Sequence, residues 1–420
     1  MDKAYSRVKY ACYTGNITMA VVGNLSPVLF LTFRNLYGIS YTLLGTLVLI
    51  NFLTQLSVDL IFSFFSHKFN IEKTVKITPV IAVVGLVLFS LAPTLFPNAV
   101  YLGLVLGTLV FAASSGLSEV LLSSVVGAIP CENPDQEMSK LHSIYAWGVV
   151  GVIIVATGYL FVFGGEHWQW LSLGLSFVPV ASAILFGKAK FPKMETPGRM
   201  TGALSLMKSK ALWLCVFAIF FGGASEVVMA QWSSGYLEQA LGVKKVWGDV
   251  FGVAGFGFLL GLGRTMYAKK GKNIERVLFL SALSAFVCYL VAILSNVAII
   301  GLIACGVTGF CVAMLWPGTL IVAAKKMPTA GVFMYAMMAS GGDMGASIAP
   351  QIVGAVTDAV KGSGWGARLA SRLHIPLEQL GMRAGMAVGA LFPLCAILIF
   401  LYVWKTKDKG AESLPLKKDE

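Results

Sequence analysis

Three carboxylates interrupt long apolar stretches of this sequence. Glu119, Glu226 and Asp343 each fall near the middle of a stretch long enough to span a bilayer, and Asp59 falls nearer to the end of another. An ionisable side chain at bilayer depth is costly, so its presence indicates either a function or a buried partner. A carboxyl group at this depth can bind and release a proton. We therefore expect Glu119 and Glu226 to be proton-coupling residues, whereas structural packing remains open for Asp59 and Asp343.

Further polar side chains share helical faces with these carboxylates. Residues four apart stack along one side of a helix, and stripes of polar residues must face protein or water instead of lipid. The stripes are Asn51, Gln55 and Asp59; Ser115, Glu119 and Ser123; and Asp343, Ser347 and Gln351. They predict a central aqueous cavity. The candidate substrate-binding residues are Asn24, Asn51, Gln55, His142, Trp147, Trp232, Trp316, Asp343 and Gln351, and the candidate gating or structural residues are Asp59 and Arg264.

For the histidine and tryptophan candidates, the sequence leaves two interpretations open. His142, placed at the start of the fifth predicted helix, could relay protons or bind substrate, or it could be a solvated histidine at a helix end. Trp147, Trp232 and Trp316 could stack on a sugar or another planar ligand face, or they could pack in the core or at an interface.

The composition identifies the solvent of this protein as lipid. Of 420 residues, 57% are hydrophobic and only 12% are charged, about half the charged share of a typical soluble domain. The net charge of +12 arises from Lys and Arg residues that flank apolar stretches. They do not form the aromatic-interleaved basic patch of a nucleic-acid binder, so we expect no nucleic-acid partner. The expected partners are a lipid bilayer and a small-molecule substrate, and we expect the chain to be a monomer.

Catalytic and metal chemistry find little support in the sequence. Seven cysteines are scattered without a Cys-x-x-Cys pair, and four histidines form no spaced ligand cluster. We expect no disulfide framework, no metal, no cofactor and no enzymatic activity, although a membrane-embedded enzyme or sensor remains the alternative from another class. An ion gradient of protons or sodium would be the driving force.

The charge-free intervals predict twelve spanning helices. A span needs about 20 apolar residues. Single helices fit residues 10–33, 35–58, 141–163, 168–187, 212–236, 246–267, 332–360 and 384–404, and two double-length intervals, 77–118 and 277–324, form hairpins with turns at 96–98 and 295–296. The N-terminus lacks a small-residue cleavage site and reads as an uncleaved first span.

Charge asymmetry orients these helices. If the N-terminus is cytoplasmic, 25 of the 32 Lys and Arg residues are also cytoplasmic, so the positive-inside rule places both termini in the cytoplasm. The hairpins recur about 200 residues apart, which predicts a six-helix bundle over 1–187, a cytoplasmic linker over 188–210 and a second six-helix bundle over 211–420. Such an all-α, two-half arrangement suits alternating access around a central site.

Glycine runs predict where helices approach closely. Gly148 and Gly151 lie in helix 5, and Gly341, Gly342 and Gly345 lie in helix 11. Small residues let helix backbones approach or bend.

Four motifs resemble the major facilitator superfamily, nearest to its fucose-permease-like branch of sugar:proton symporters. They are Gly116-Leu117-Ser118-Glu119, the pattern Glu226 to Trp232 to Tyr236, Gly261-x-Gly263-Arg264, and Gly342-Asp343-x-Gly345 with Pro350 and Gly354. The resemblance covers about a third of the chain. It implies the major facilitator fold and solute transport coupled to protons, with Glu119 at the position of that branch's helix 4 carboxylate.

The sequence also departs from the family pattern. Pro27 stands where fucose permeases carry a helix 1 aspartate, and Ser63, His67, Lys68 and Asn70 replace the Gly, Asp, Arg and Gly of the common loop motif. Helix 5 has no proline in its glycine run, so the antiporter signature of drug exporters is missing. We expect a carrier in the cell inner membrane for a small polar organic solute, with an exporter of amphiphilic or drug-like compounds as the alternative.

Overall fold

A computed structural model describes residues 5–39, 41–194, 206–244, 247–328 and 330–406. In these ranges the chain is helical and contains no strand. The all-α prediction is confirmed.

Six long helices follow one another in the first half of the chain. They are α1 (Ser6–Val28), α2 (Tyr41–Phe65), α3 (Ile71–Ser90), α4 (Val100–Ala128), α5 (Pro134–Phe163) and α6, which is broken at Ser176 into Trp168–Leu175 and Phe177–Gly187. Three short segments join them: Phe30–Tyr37, the 3₁₀ turn Ser66–Lys68 and Ala92–Leu95.

Six further helices occupy the second half. They are α7 (Lys210–Leu241), α8 (a π-helical turn Gly248–Ala254 continuing into Gly255–Lys270), α9 (Ile274–Leu294), α10 (Ala298–Val312 and Leu315–Lys326), α11 (Gly331–Lys361) and α12 (Leu377–Gly389 and Leu391–Lys405). A separate helix, Gly364–Leu373, lies between α11 and α12 and is called the connecting helix below.

Ten of these twelve long helices in the described part of the chain have both the length and the hydropathy of a membrane span. The other two are α1 and α11, in which polar residues such as Asn16, Asn24 and Asp343 dilute the apolar character. Both helices are nevertheless more than 20 residues long, which is sufficient to cross the hydrocarbon layer. The architecture is therefore that of twelve transmembrane helices in two six-helix halves.

The structure confirms both hairpin turns and corrects four helix starts, one of which is that of α3, six residues before the predicted interval. Residues 96–98 and 295–296 separate α3 from α4 and α9 from α10 as predicted. The second helix begins at Tyr41 instead of residue 35, because Gly38 adopts a left-handed conformation (φ 64°) that ends the preceding helical segment. Helices α5 and α12 begin seven residues earlier than predicted, because their first turns carry polar and charged residues that need not lie in hydrocarbon.

The helices group into two compact units. One comprises the described residues up to Ser209 together with Met327–Ser340, and the other comprises Lys210–Lys326 and the described residues from Gly341 onward. Helix α11 thus contributes to both. The predicted linker, 188–210, falls partly outside the described residues, since 195–205 are not among them.

A cluster of buried aromatic side chains lies in the first unit. Phe33, Phe89, Phe111 and Trp168 are fully buried, and the Phe33 and Trp168 rings meet edge to face with centroids 4.9 Å apart. The indole nitrogen of Trp168 donates a hydrogen bond to the Tyr37 hydroxyl at 3.0 Å. Burial of four large rings stabilises the packing of α3, α4 and α6 around the segment that follows α1.

Glycines permit close approach at some of the predicted positions. An added Cβ at Gly342 would clash with the Trp316 ring, and one at Gly345 would clash with the backbone of Phe220. Gly148 contacts α1 at Ala20. Gly151, in contrast, faces open space, so the expectation of a helix contact at that residue is wrong.

Candidate functional site

In the first unit, the polar face of α4 that carries Glu119 lies beside a histidine of α5. Ser115 and Ser123 are buried and Glu119, between them on the same face, is half-buried. The Ser123 hydroxyl lies 3.5 Å from Nε2 of His142. Because α5 begins at Pro134, His142 lies two turns inside the helix and is half-buried, so the reading as a solvated residue at a helix end is wrong. One turn of α4 therefore separates Glu119 from the hydroxyl that lies next to His142.

The polar stripe of α2 faces protein, as the spacing predicted. Asn51, Gln55 and Asp59 are all buried, and the Gln55 amide donates to the Asn51 side-chain oxygen at 2.8 Å. Gly116 of α4 lies against the backbone of Gln55, which lets the two helices approach closely. The Asn51–Gln55 bond satisfies one donor and one acceptor and leaves the other amide groups of both residues available for a ligand.

Two further candidates of the first unit differ in their exposure. Asn24 is half-buried and donates to the carbonyl of Ala20, one turn before it in α1. Pro27 follows it in the last turn of the helix. Trp147 on α5 is 37% exposed. It therefore retains a ring surface that a ligand, lipid or another part of the chain can cover.

A charge cluster that the sequence analysis missed joins α1 to α5. Glu137 lies 3.3 Å from the Lys9 ammonium and accepts a hydrogen bond from the Tyr13 hydroxyl at 3.0 Å. Both partners are buried, and the Asn16 amide donates to the Leu141 carbonyl at 2.8 Å one turn further along. The only signal in the sequence was a pair of opposite charges near the ends of two apolar stretches, 128 residues apart.

In the second unit, Glu226 and Arg264 form an ion pair. Nη2 of Arg264 lies 3.0 Å and 3.1 Å from the two carboxylate oxygens of Glu226. The Arg264 side chain is 3% exposed and that of Glu226 is 16% exposed. The break in α10 supplies a second acceptor, since Nε of Arg264 donates to the Ala313 carbonyl at 3.0 Å. A proton-coupling candidate and a gating candidate are thus in direct contact.

Two tyrosines position the helix segment that carries Glu226. Tyr289 of α9 donates to the carbonyl of Ser225 at 2.8 Å, and Tyr236 of α7 donates to the carbonyl of Ala292 at 2.6 Å. Both rings are fully buried. These reciprocal bonds between α7 and α9 hold Glu226 at a fixed height and rotation, which is what a buried charge pair requires.

Two candidate tryptophans of the second unit pack against α11. The Trp316 ring lies over Gly223 of α7 and Gly342 of α11, at positions where no Cβ would fit. The Trp232 indole donates to the Pro350 carbonyl at 3.1 Å and its ring contacts Gly354. Both are half-buried, so each combines a packing contact with some exposed ring surface.

The α11 candidates lie at different depths. Asp343 is 4% exposed, whereas Gln351, two turns further along the same face, is exposed. The structure thus buries one end of this stripe and leaves the other accessible. Gln351 can meet a solute without rearrangement, while Asp343 needs either a helix movement or a water path.

The described residues contain no group of three or more His, Cys, Asp and Glu side chains that could hold a metal ion. The chemistry available at the candidate residues is proton binding, charge pairing, hydrogen bonding through amides and hydroxyls, and contact with aromatic faces. These groups suit recognition of a polar organic molecule.

Comparison with solved structures identifies the fold. The proton:xylose symporter XylE, bound to 6-bromo-6-deoxy-D-glucose, is similar with a TM-score of 0.73 and 13% sequence identity, covering 97% of this chain and 98% of that one. A structure of the E. coli fucose:proton symporter FucP is similar with a TM-score of 0.70 and 14% identity, covering 94% and 99%. FucP in the outward conformation gives a TM-score of 0.68 at 16% identity.

Comparison of sequences identifies the family. No curated protein sequence matches the chain. The family model described as Major Facilitator Superfamily, however, matches residues 12–350, which is well over half of the sequence. The chain is a transporter-type membrane protein and belongs to the major facilitator superfamily.

Proposed function

We propose that the protein is a proton-coupled symporter that moves a small polar organic solute, with sugars as the first candidates, by alternating access. The family and the fold support transport, and two of the similar structures are of proteins named as a proton:xylose and a fucose:proton symporter. The proposal includes a location in the cell inner membrane with both termini in the cytoplasm, following the distribution of Lys and Arg.

The observation that carries this proposal is the ion pair between Glu226 and Arg264. Removing one partner of a buried pair leaves an uncompensated charge, which costs about 3–5 kcal/mol in soluble proteins. Protonation of Glu226 has the same effect as removal, because it takes from Arg264 the negative charge that balances its guanidinium. Binding of a proton is therefore tied energetically to the packing of α7, α8 and α10, and this is the linkage that a proton-driven carrier needs.

Glu119 is the second proposed coupling residue. It is half-buried on α4, one turn from Ser123 and close to the α5 face that carries His142. In the proposal Glu119 binds the transported proton, and the neighbouring amides of Asn51 and Gln55 bind hydroxyl groups of the solute. In this proposal a proton gradient is the driving force and no cofactor takes part.

Transport in proteoliposomes tests the proposal. Purified protein is screened by thermal shift against hexoses, pentoses, polyols and organic acids, and the compounds that stabilise it are then offered with an imposed pH gradient. We expect Glu119→Gln to abolish uphill accumulation while solute exchange remains measurable. The matched control is Glu132→Gln, which neutralises an exposed carboxylate just beyond the end of α4 and should transport normally.

Three results would contradict the proposal. Uphill uptake by the Glu119→Gln variant at the wild-type rate would remove Glu119 from the coupling. Accumulation driven by a sodium gradient at equal pH on both sides would replace the proton with sodium. If solute leaves against its gradient when protons enter, the protein is an exporter and the symport proposal fails.

A further inference from the structure

The connecting helix between α11 and α12 carries an exposed apolar stripe. Trp365, Leu369 and Leu373 follow one another at spacings of four residues and are 53%, 36% and 53% exposed. The small residues Gly366 and Ala370, in contrast, are buried, so they lie on the side of the helix that packs against its unit. A stripe of three large apolar side chains on so short a helix is not needed for solubility and indicates an apolar surrounding.

A basic stripe runs beside the apolar one. Arg368 and Arg372 are exposed and four residues apart, so both guanidinium groups lie on one side of Trp365. Within the part of the chain that the structure describes, neither makes an ion pair. The combination of Trp and Leu with neighbouring Arg residues is typical of helices that lie in the plane of a membrane interface.

The flanking helices hold the connecting helix at the membrane surface. Lys361 at the end of α11 and Glu378 at the start of α12 are 3.7 Å apart, so the connection returns to the membrane close to where it left. Ser363 caps the helix by accepting from the Gly366 amide, and His374 ends it in a left-handed conformation (φ 54°). The helix is therefore short, well defined and kept near the ends of two membrane spans.

The charge distribution makes this segment exceptional. In the proposed topology only seven of the 32 Lys and Arg residues are outside the cytoplasm, and four of them are Lys361, Arg368, Arg372 and Arg383. Arg383 is used internally, since it donates to the Ser295 carbonyl and the Asn296 side chain. The two connecting-helix arginines have no such role. Their position opposes the general charge trend and is favourable where an anionic group lies nearby.

We propose that the connecting helix binds anionic phospholipid headgroups of the extracytoplasmic leaflet. Trp365, Leu369 and Leu373 enter the boundary between headgroups and acyl chains, and Arg368 and Arg372 bind the phosphates through charge-assisted hydrogen bonds. The binding depends on the proposed function only for the choice of leaflet. Two arginines near a charged surface correspond to a local enrichment of anionic lipid of up to about 30-fold.

Quenching by brominated lipids tests this binding. The full-length protein is placed in phosphatidylcholine nanodiscs that contain a low fraction of either brominated phosphatidylglycerol or brominated phosphatidylcholine. The ratio of tryptophan quenching by the two lipids reports enrichment near the indoles. We expect a ratio well above one for the wild type, a ratio near one for Arg368→Gln/Arg372→Gln, and loss of most of the excess quenching in Trp365→Phe.

The matched control is Lys244→Gln/Lys245→Gln, which removes two positive charges from the sequence between α7 and α8, on the same proposed side, and should keep the wild-type ratio. An unchanged ratio in Arg368→Gln/Arg372→Gln would overturn the proposal. Unchanged quenching in Trp365→Phe would show that other parts of the protein cover the apolar stripe. Loss of the excess quenching when inorganic phosphate is added at constant ionic strength would show that the arginines bind free phosphate. Either result would also overturn it, and solute transport in the variants would remain a separate measurement.

Discussion

Neutralising Glu226 alone should cost far more stability than removing the whole ion pair. In Glu226→Gln the buried guanidinium of Arg264 loses the two carboxylate contacts at 3.0 Å and 3.1 Å and keeps its bond to the Ala313 carbonyl. The cost of breaking a fully buried pair is about 3–5 kcal/mol. Glu226 is 16% exposed and the Gln amide oxygen can accept one bond, so we expect a loss of about 2–4 kcal/mol.

A double-mutant cycle measures this coupling. The free energy of unfolding is determined in mixed micelles by titration with a denaturing detergent for the wild type, Glu226→Gln, Arg264→Met and the double variant. Because the double variant buries no unpaired charge, it should recover at least half of the loss seen in Glu226→Gln. Glu238→Gln, at an exposed position on the same helix α7, should remain within about 0.5 kcal/mol of the wild type.

Additivity would refute the reasoning. If the double variant loses the sum of the two single losses, then Glu226 and Arg264 do not stabilise each other. A Glu226→Gln variant as stable as the control would lead to the same conclusion. Either result would also remove the linkage on which the proposed proton coupling depends.

Further predictions concern a glycine contact and a loop thiol. Gly342→Ala places a Cβ into the Trp316 ring and should lower the unfolding midpoint by several degrees in a thermal-shift assay. The control Gly151→Ala, at a position that faces open space, should leave the midpoint unchanged or raise it slightly. Equal midpoints for the two variants would contradict the packing of Trp316. Partial burial, together with the negative charge of Glu137, raises the pKa of the Cys131 thiol in the loop between α4 and α5. The thiolate of Cys131 should therefore form only at a higher pH than that of an ordinary cysteine. Alkylation of Cys131, measured by mass spectrometry of its peptide, should be slow near pH 8. Glu137→Gln should accelerate the alkylation, because it removes the negative charge. A Cys131 rate equal to that of a free model thiol would contradict this assignment.

The helices were predictable because lipid imposes a simple length requirement. Twenty apolar residues form a span whatever their neighbours are, and the turns at 96–98 and 295–296 interrupted intervals too long for one helix. The helix starts at Pro134 and Leu377 were missed for the converse reason, since helices extend into the headgroup region, where hydropathy no longer indicates them. The start at Tyr41 depended on the backbone conformation of Gly38, which apolar spacing does not report.

The candidate site was predictable residue by residue but not contact by contact. Glu226 was identified by the cost of a charge within a span and Arg264 by the motif that it ends, yet their pairing depends on the rotation of α7 and α8 around their axes. Spacing within one helix predicts a common face and does not predict which helix that face meets. For the same reason, spacing along the chain does not predict that Lys9 and Glu137 join α1 to α5.

The acceptor that α10 offers to Arg264 is a main-chain atom. Residue 313 is already alanine, so an alanine scan leaves it unchanged, and nearly any other side chain there would retain the same carbonyl. Genetic screens would then overlook this anchor of the buried arginine. Detecting it requires a change in the backbone itself, for example an ester in place of the amide that follows residue 313, which weakens the carbonyl as a hydrogen-bond acceptor while preserving every side chain.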